Sequence, residues 1–285
     1  MTIKMNIPTN KDEFLTMIAD RNKYWDIDAS NLDLSNTDLS NQNLQAIIFN
    51  NVNLSNTNLT NTNIQRTILQ EANLISADLT NSDFSGSNVM GANFAGATLN
   101  NTNLLEVYAQ NSNFTNVDLS TLSNNFHLDL TNAILENAIL PSNLIFVIFK
   151  GIDFTKYTTI KFNNCYLNRS VFTNCNLSNY NFNGANLSLC ILNNAILNNI
   201  NLSDVVLTNA SLANSSIINS NLQGAVLLNT NLDKCNLNSV DFTNATLMNT
   251  SINGADLTDV KIKKSQLMYA IYDNKTILPS TYVPE

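Results

Sequence analysis

The residues that could do chemistry are few in this 285-residue chain: one histidine, four cysteines and three evenly spaced aspartates. Zinc sites need ligands paired a few residues apart, and Cys165, Cys175, Cys190 and Cys235 show no such pairing. His127, the sole histidine, has no regularly placed cysteine or acid to work with. The sequence offers no nucleophile beside a base, no pair of acids at one cleft and no phosphate-binding glycine loop. Enzymatic activity, a cofactor and a metal are therefore not expected. Asp38, Asp78 and Asp118 stand out because the same interval separates each from the next. Such a row has two readings. It is a line of carboxylates imitating a phosphate backbone, or it is the free alternation of Asp with Asn at a turn, with acid aiding solubility.

Spacing this even requires an element with a short repeat. From Leu34 to Leu119 every fifth residue is apolar, and the period resumes from Phe162 to Ile277. Two residues before each apolar centre sits a smaller residue, as at Ala72, Ala77, Ser82, Ala185, Cys190 and Ala195. One before the centre is usually Asn or Asp, and two after is mostly Asn or Gly. A period of five is neither the 3.6 of a helix nor the 2 of a flat strand. It describes a coil that turns a corner every five residues, with the centre and the small residue pointing inward. Asn56, Asn61, Gly86 and Gly91 then fall at corners, where a tight turn asks for positive φ. One coil cannot bury its own centre, so stability must come from stacked neighbours.

This A-(N/D)-L-x-x pattern, running from about Ser30 to Ile277, resembles the pentapeptide-repeat family. The resemblance implies an all-β fold, a right-handed quadrilateral β-helix with four pentapeptides per coil, here with a short helical N-terminal cap. On that geometry the three aspartates share a face about 10 Å apart, and Ile48, Ile68 and Tyr108 form an outward apolar stripe with Met90 nearby. Tyr166, Val206 and Val226 likewise share an outward position. All four cysteines take the small inward position. Cys175 and Cys235 lie three coils apart, roughly 14 Å, beyond disulfide reach, so buried free thiols are expected.

The chain divides into five stretches, expected to form one continuous solenoid. Residues 1–29 read as a cap, with Asn10 starting a helix whose apolar face holds Phe14, Leu15, Met17 and Ile18, and with Trp25 helping to close that end. Residues 30–120 are the first repeat section and the acidic one. In residues 121–160 the register slips: a kink or protruding loop is expected at 121–129, around His127, with further irregularities at Pro141 and near Lys156-Tyr157-Thr158. Within Leu144–Phe149 not every apolar side chain can point inward, which leaves Ile145 and Phe146 for a loop or a partner. Residues 161–268 form the second section; between Thr121 and Met268 eight acidic residues face eight basic ones. Residues 269–285 read as a C-terminal cap whose aromatics and proline seal the final coil.

The function expected from these features is that of a non-enzymatic scaffold that binds another protein. Family members that confer quinolone resistance act as acidic DNA mimics on DNA gyrase or topoisomerase IV, commonly as dimers joined at their C-terminal ends. That resemblance implies the alternative: a topoisomerase inhibitor or protector, homodimeric through its C-terminal end. Against it stand a net charge of only −8, a neutral second section and no recognisable gyrase-contact loop. Direct nucleic-acid binding is not expected from an acidic coil. No apolar run approaches a membrane span, and a cytoplasmic protein is expected.

Overall fold

In a computed structural model, residues 5–157 and 159–284 are described. They form two compact units, Met1–Pro141 and Ser142–Glu285. Each is a right-handed quadrilateral β-helix, and the hydrogen bonds of one pentapeptide explain its sequence. In Val52–Asn56, Val52 N–H turns back to Phe49 O, Asn53 N–H reaches Leu32 O in the preceding coil, and Leu54 and Asn56 N–H reach Asn73 O and Ile75 O in the next. One donor is left over, the N–H of Ser55, and the side chain of Asn53 accepts it at 3.2 Å. Asn or Asp one before the centre thus completes the donor inventory, as a buried or half-buried backbone demands. The corner residues carry positive φ: 54° at Asn61, 55° at Asn56 and 70° at Gly91.

The small inward position has its own logic. Thr57, Ser87, Thr102 and Ser215 are buried, and each donates its hydroxyl to the carbonyl of a centre in the preceding coil. Cys190 and Cys235 do the same with sulfur, to Leu167 O at 2.8 Å and Leu212 O at 3.0 Å. All four cysteines are free and buried. Burial pushes the thiols of Cys175, Cys190 and Cys235 up to about 12. A thiol held protonated is a poor nucleophile. The folded protein at pH 8 should therefore react with a thiol reagent at least tenfold more slowly than in denaturant, where four thiols should titrate; fast native labelling would contradict the burial.

In the first unit, helix α1 (Lys11–Ala19) covers the first coil; Asn10 caps it by accepting Glu13 N–H. Phe14, fully buried, meets the Phe49 ring edge-on at 5.6 Å. Trp25 does not help to close this end: it is 63% exposed, because Phe14, Met17 and Ile18 already fill the space over the core. From Asp28↔Ile48 to Asn93↔Asn113 bridges join positions four pentapeptides apart, and from Asn103↔Asn124 to Asp118↔Ile139 the step is longer by one. The protruding loop expected at 121–129 is thus a one-residue enlargement, absorbed while Leu104, Glu106 and Ala109 keep their bonds to the next coil.

The second unit opens with a wider coil. From Asn143↔Tyr166 to Asp153↔Asn176 the step exceeds four pentapeptides by three, and it then returns to the regular length. The extra length falls after a 3-10 turn, Phe154–Lys156. Of the expected insertion, Thr158 lies outside the described residues. The wider coil makes room for Tyr180, a large residue at a small inward position of the next coil. Its hydroxyl lies 2.9 Å from Phe154 O and 2.5 Å from Tyr157 O. Phenylalanine centres of this coil and the preceding one stack beside it, Phe162 on Phe182 at 4.7 Å and Phe149 on Phe172 at 5.2 Å, with the Phe162 ring 5.6 Å from that of Tyr180. Regular coiling stops at Ile262. Helix α2 (Lys264–Leu267) follows, and the amide of Gln266 donates to Phe242 O and Ala245 O, replacing the coil that would have stacked there. Tyr269 and Tyr272 are exposed rather than sealing the core, and Ile277 pairs with Asp256 from an outward position.

Candidate interaction surfaces

The aspartate row lies on one outward column of the first unit, where Asp38 pairs with Asn58, Asn58 with Asp78, and Asp78 with Thr98. Asp118 pairs onward with Ile139. Each carboxylate does the work of an Asn. Asp38 Oδ1 accepts Ser40 N–H at 3.0 Å, Asp78 Oδ1 accepts Thr80 N–H at 3.0 Å, and Asp118 Oδ1 accepts Ser120 N–H at 2.9 Å. The backbone bond from Ser40, with its side chain second, holds the Asp38 carboxyl below its usual range. These Oδ2 atoms accept no protein hydrogen bond among the described residues, and the side chains are exposed. Two coils separate successive carboxylates, about 10 Å, whereas duplex DNA carries a charge about every 1.7 Å of axis. The row by itself is far sparser than a phosphate backbone.

The apolar stripe lies on another column, which runs Asp28, Ile48, Ile68, Asn88, Tyr108, Asp129. Tyr108 is 55% exposed, Ile68 is exposed and Ile48 is half-buried. Asn88 interrupts the stripe, so the three named residues are not one continuous patch. An apolar residue here gives up the side-chain acceptor that Asn supplies. Among the described residues no protein acceptor takes the N–H of Asn50, Gln70 or Gln110. His127 occupies a corner with φ 58° and meets the ring of Phe126 edge-on. Ile145 and Phe146 are half-buried; Phe146 is a corner at φ 61°, with the Arg169 guanidinium 5.0 Å from its ring centre.

Sequence reasoning missed three features. Leu189 stands at a corner with φ 62°; its five-residue phase marks it as a corner, and an apolar residue there was the available signal. Tyr180 was legible as an oversized inward residue. Beside it, Tyr157, Ile160, Lys161, Asn163, Asn179, Tyr180 and Asn181 line an open groove of about 520 Å³. No sequence signal pointed to that groove. Charged corners also use glycine as clearance: at Gly91 (φ +70°) a Cβ would run into the Glu71 carboxylate. Gly91→Ala should cost about 1–2 kcal/mol through left-handed strain, and Gly91→Asn less, both read by urea unfolding. Among the described residues no cluster could hold a metal ion and no helix is long and apolar enough to cross a membrane.

Comparison with known proteins agrees with this architecture. A family model for pentapeptide repeats (8 copies) matches residues 33–70, 47–86, 87–121 and 160–188, and one for the pentapeptide repeat region matches residues 205–271. Among solved structures, HetL, a pentapeptide repeat protein involved in heterocyst differentiation regulation from the cyanobacterium Nostoc sp. strain PCC 7120, is 22% identical. The match covers 95% of this chain and 100% of HetL, with a TM-score of 0.34. QnrB1, a plasmid-mediated fluoroquinolone resistance protein, is 14% identical over 87% of this chain and 91% of its own, with a TM-score of 0.30. Rfr23 from the cyanobacterium Cyanothece 51142 is 32% identical over 47% of this chain and 86% of its own, with a TM-score of 0.15. No curated protein matches the chain. With repeat models matching most of its length, and with each unit coiled in five-residue sides, this chain belongs to the pentapeptide-repeat family.

Proposed function

We propose that this protein is a non-enzymatic, cytoplasmic scaffold that acts by binding another protein on the outside of its coils. One observation carries the reading: centres and small residues fill the coil interior, while Ile68, Tyr108, Tyr166 and Ile191 stand exposed at outward positions. Binding energy at protein interfaces concentrates in aromatic anchors such as tyrosine. The test is quantitative co-purification from the source cell with wild type and with Ile68→Asn plus Tyr108→Asn. Specific loss of a partner supports the scaffold; a set of partners unaffected by these substitutions and by Tyr166→Asn sinks it.

A second reading, inhibition or protection of a type II topoisomerase by DNA mimicry, is favoured by charge placement. The first unit carries 14 acidic and 5 basic residues, the second 8 and 9, so the whole negative excess lies in the first. Fields of one sign steer a basic partner surface. Reversing Asp38, Asp78 and Asp118 to Lys should reduce inhibition of gyrase supercoiling at least tenfold. Inhibition that survives the reversal removes the mimic. Exposed Tyr269, Ile271, Tyr272 and Ile277 support a homodimer through the C-terminal end, for which light scattering should give twice the 31.5 kDa chain mass.

A further inference from the structure

We propose that one corner of the second unit, centred on Leu189, is a docking surface for a protein segment that carries carboxylates between apolar residues. The inference rests on the protein-binding reading above and adds the place and the partner's chemistry. Three observations carry it. Leu189 holds φ 62° and is 42% exposed, so it bears left-handed strain without the burial that would offset it. Most corners of the coil use Asn, which tolerates this conformation. The second observation is what surrounds it. Tyr166, Val171 and Ile191 occupy outward positions beside that corner, where an Asn or Asp would have accepted a backbone donor. Among the described residues the N–H groups of Asn168, Thr173 and Asn193 have no protein acceptor. Both departures oppose the stability of the coil, and they fall together.

The third observation is charge. Arg169 is the corner residue one coil below Leu189, with its guanidinium over the Phe146 ring. Along the sequence on either side of it, residues 142–203 contain Lys150, Lys156, Lys161 and Arg169 against the single acid Asp153, before Asp204 follows, in a chain of net charge −8. Lys156 spends its charge on Asp153 at 4.0 Å; no ion pair is found for Arg169 among the described residues. An exposed apolar patch with a guanidinium at its edge suits a partner with carboxylates set between Leu or Phe side chains.

The test uses the full-length protein and two labelled dodecapeptides, alternating Glu-Leu and alternating Lys-Leu, in fluorescence polarisation, with thermal unfolding of the same samples. The acidic peptide should bind, the basic one at least tenfold more weakly. Leu189→Asn and Arg169→Glu should each weaken the acidic peptide about tenfold. Leu189→Asn should also raise the unfolding midpoint by about 2 °C, since it removes strain. Equal binding of both peptides would mean indiscriminate apolar adhesion and overturn the proposal. So would unchanged binding by Leu189→Asn, or a clear fall in its midpoint, which would make Leu189 a packing residue. Peptide-independent self-association lost in Leu189→Asn would assign the surface to a second copy and overturn it too. Failure here leaves the first-unit stripe and its partners untouched, so the two readings fail separately.

Discussion

Phe172→Ala is expected to lower the stability of the protein by about 3–5 kcal/mol. Phe172 is fully buried, stacks on Phe149 at 5.2 Å, and meets Phe162 at 5.8 Å and Phe182 at 6.3 Å near edge-on. Removing its ring opens a cavity that the neighbouring coils cannot close, because their backbones are tied at fixed spacing by the ladder on every side. Phe172→Leu, which keeps most of the volume, should cost no more than about 1.5 kcal/mol. Contacts in a solenoid are between neighbours, so the loss should also be local. Hydrogen exchange should speed up first in the coils that hold Phe149, Phe162 and Phe182. Equal loss for Leu and Ala would show that the ring geometry, rather than the volume, matters here.

Ala225→Tyr is expected to destabilise the protein about as much. Overpacking contributes about 1–3 kcal/mol, and a buried hydroxyl without an acceptor about 1–3 kcal/mol. Tyrosine is not intrinsically excluded from the small inward position, since Tyr180 occupies one. There the coil below is enlarged, and Phe154 O and Tyr157 O meet the hydroxyl. Ala225 sits between regular coils of four pentapeptides and is fully buried, with no enlarged coil below to make room for a ring or to meet a hydroxyl at its far end. Ala225→Ser should be nearly neutral, because a serine there finds the carbonyl of Leu202 as Ser215 finds that of Leu192. Chemical denaturation of the three proteins checks both statements. A tolerated tyrosine would mean that the coil widens locally without an insertion.

The five-residue period by itself determined a stacked coil with inward and outward faces and put the cysteines inside; its four sides and its hand came from the resemblance to the pentapeptide-repeat family. The reason is that every side of the coil repeats the same hydrogen-bond pattern, so a residue's phase states its environment. Phase placed Asp38, Asp78, Ile48, Ile68 and Tyr108 on their columns and Cys190 inside the core. Where the phase breaks, local sequence no longer states position. The stretch 121–129 read as a kink or protruding loop, yet its extra residue was absorbed as the ladder on either side continued to hold Leu104 and Ala109. At the C-terminal end the apolar period ran on to Ile277, but Gln266 in α2 had already taken over the exposed carbonyls of the last coil. Trp25 read as a plug and lies exposed because Phe14 reached the core first. Which outward apolar residues adjoin, and that Leu189 sits strained among Tyr166, Val171 and Ile191, depended on coil length. A coil enlarged beyond four pentapeptides shifts every neighbour above it, and the size of that enlargement is settled by tertiary stacking.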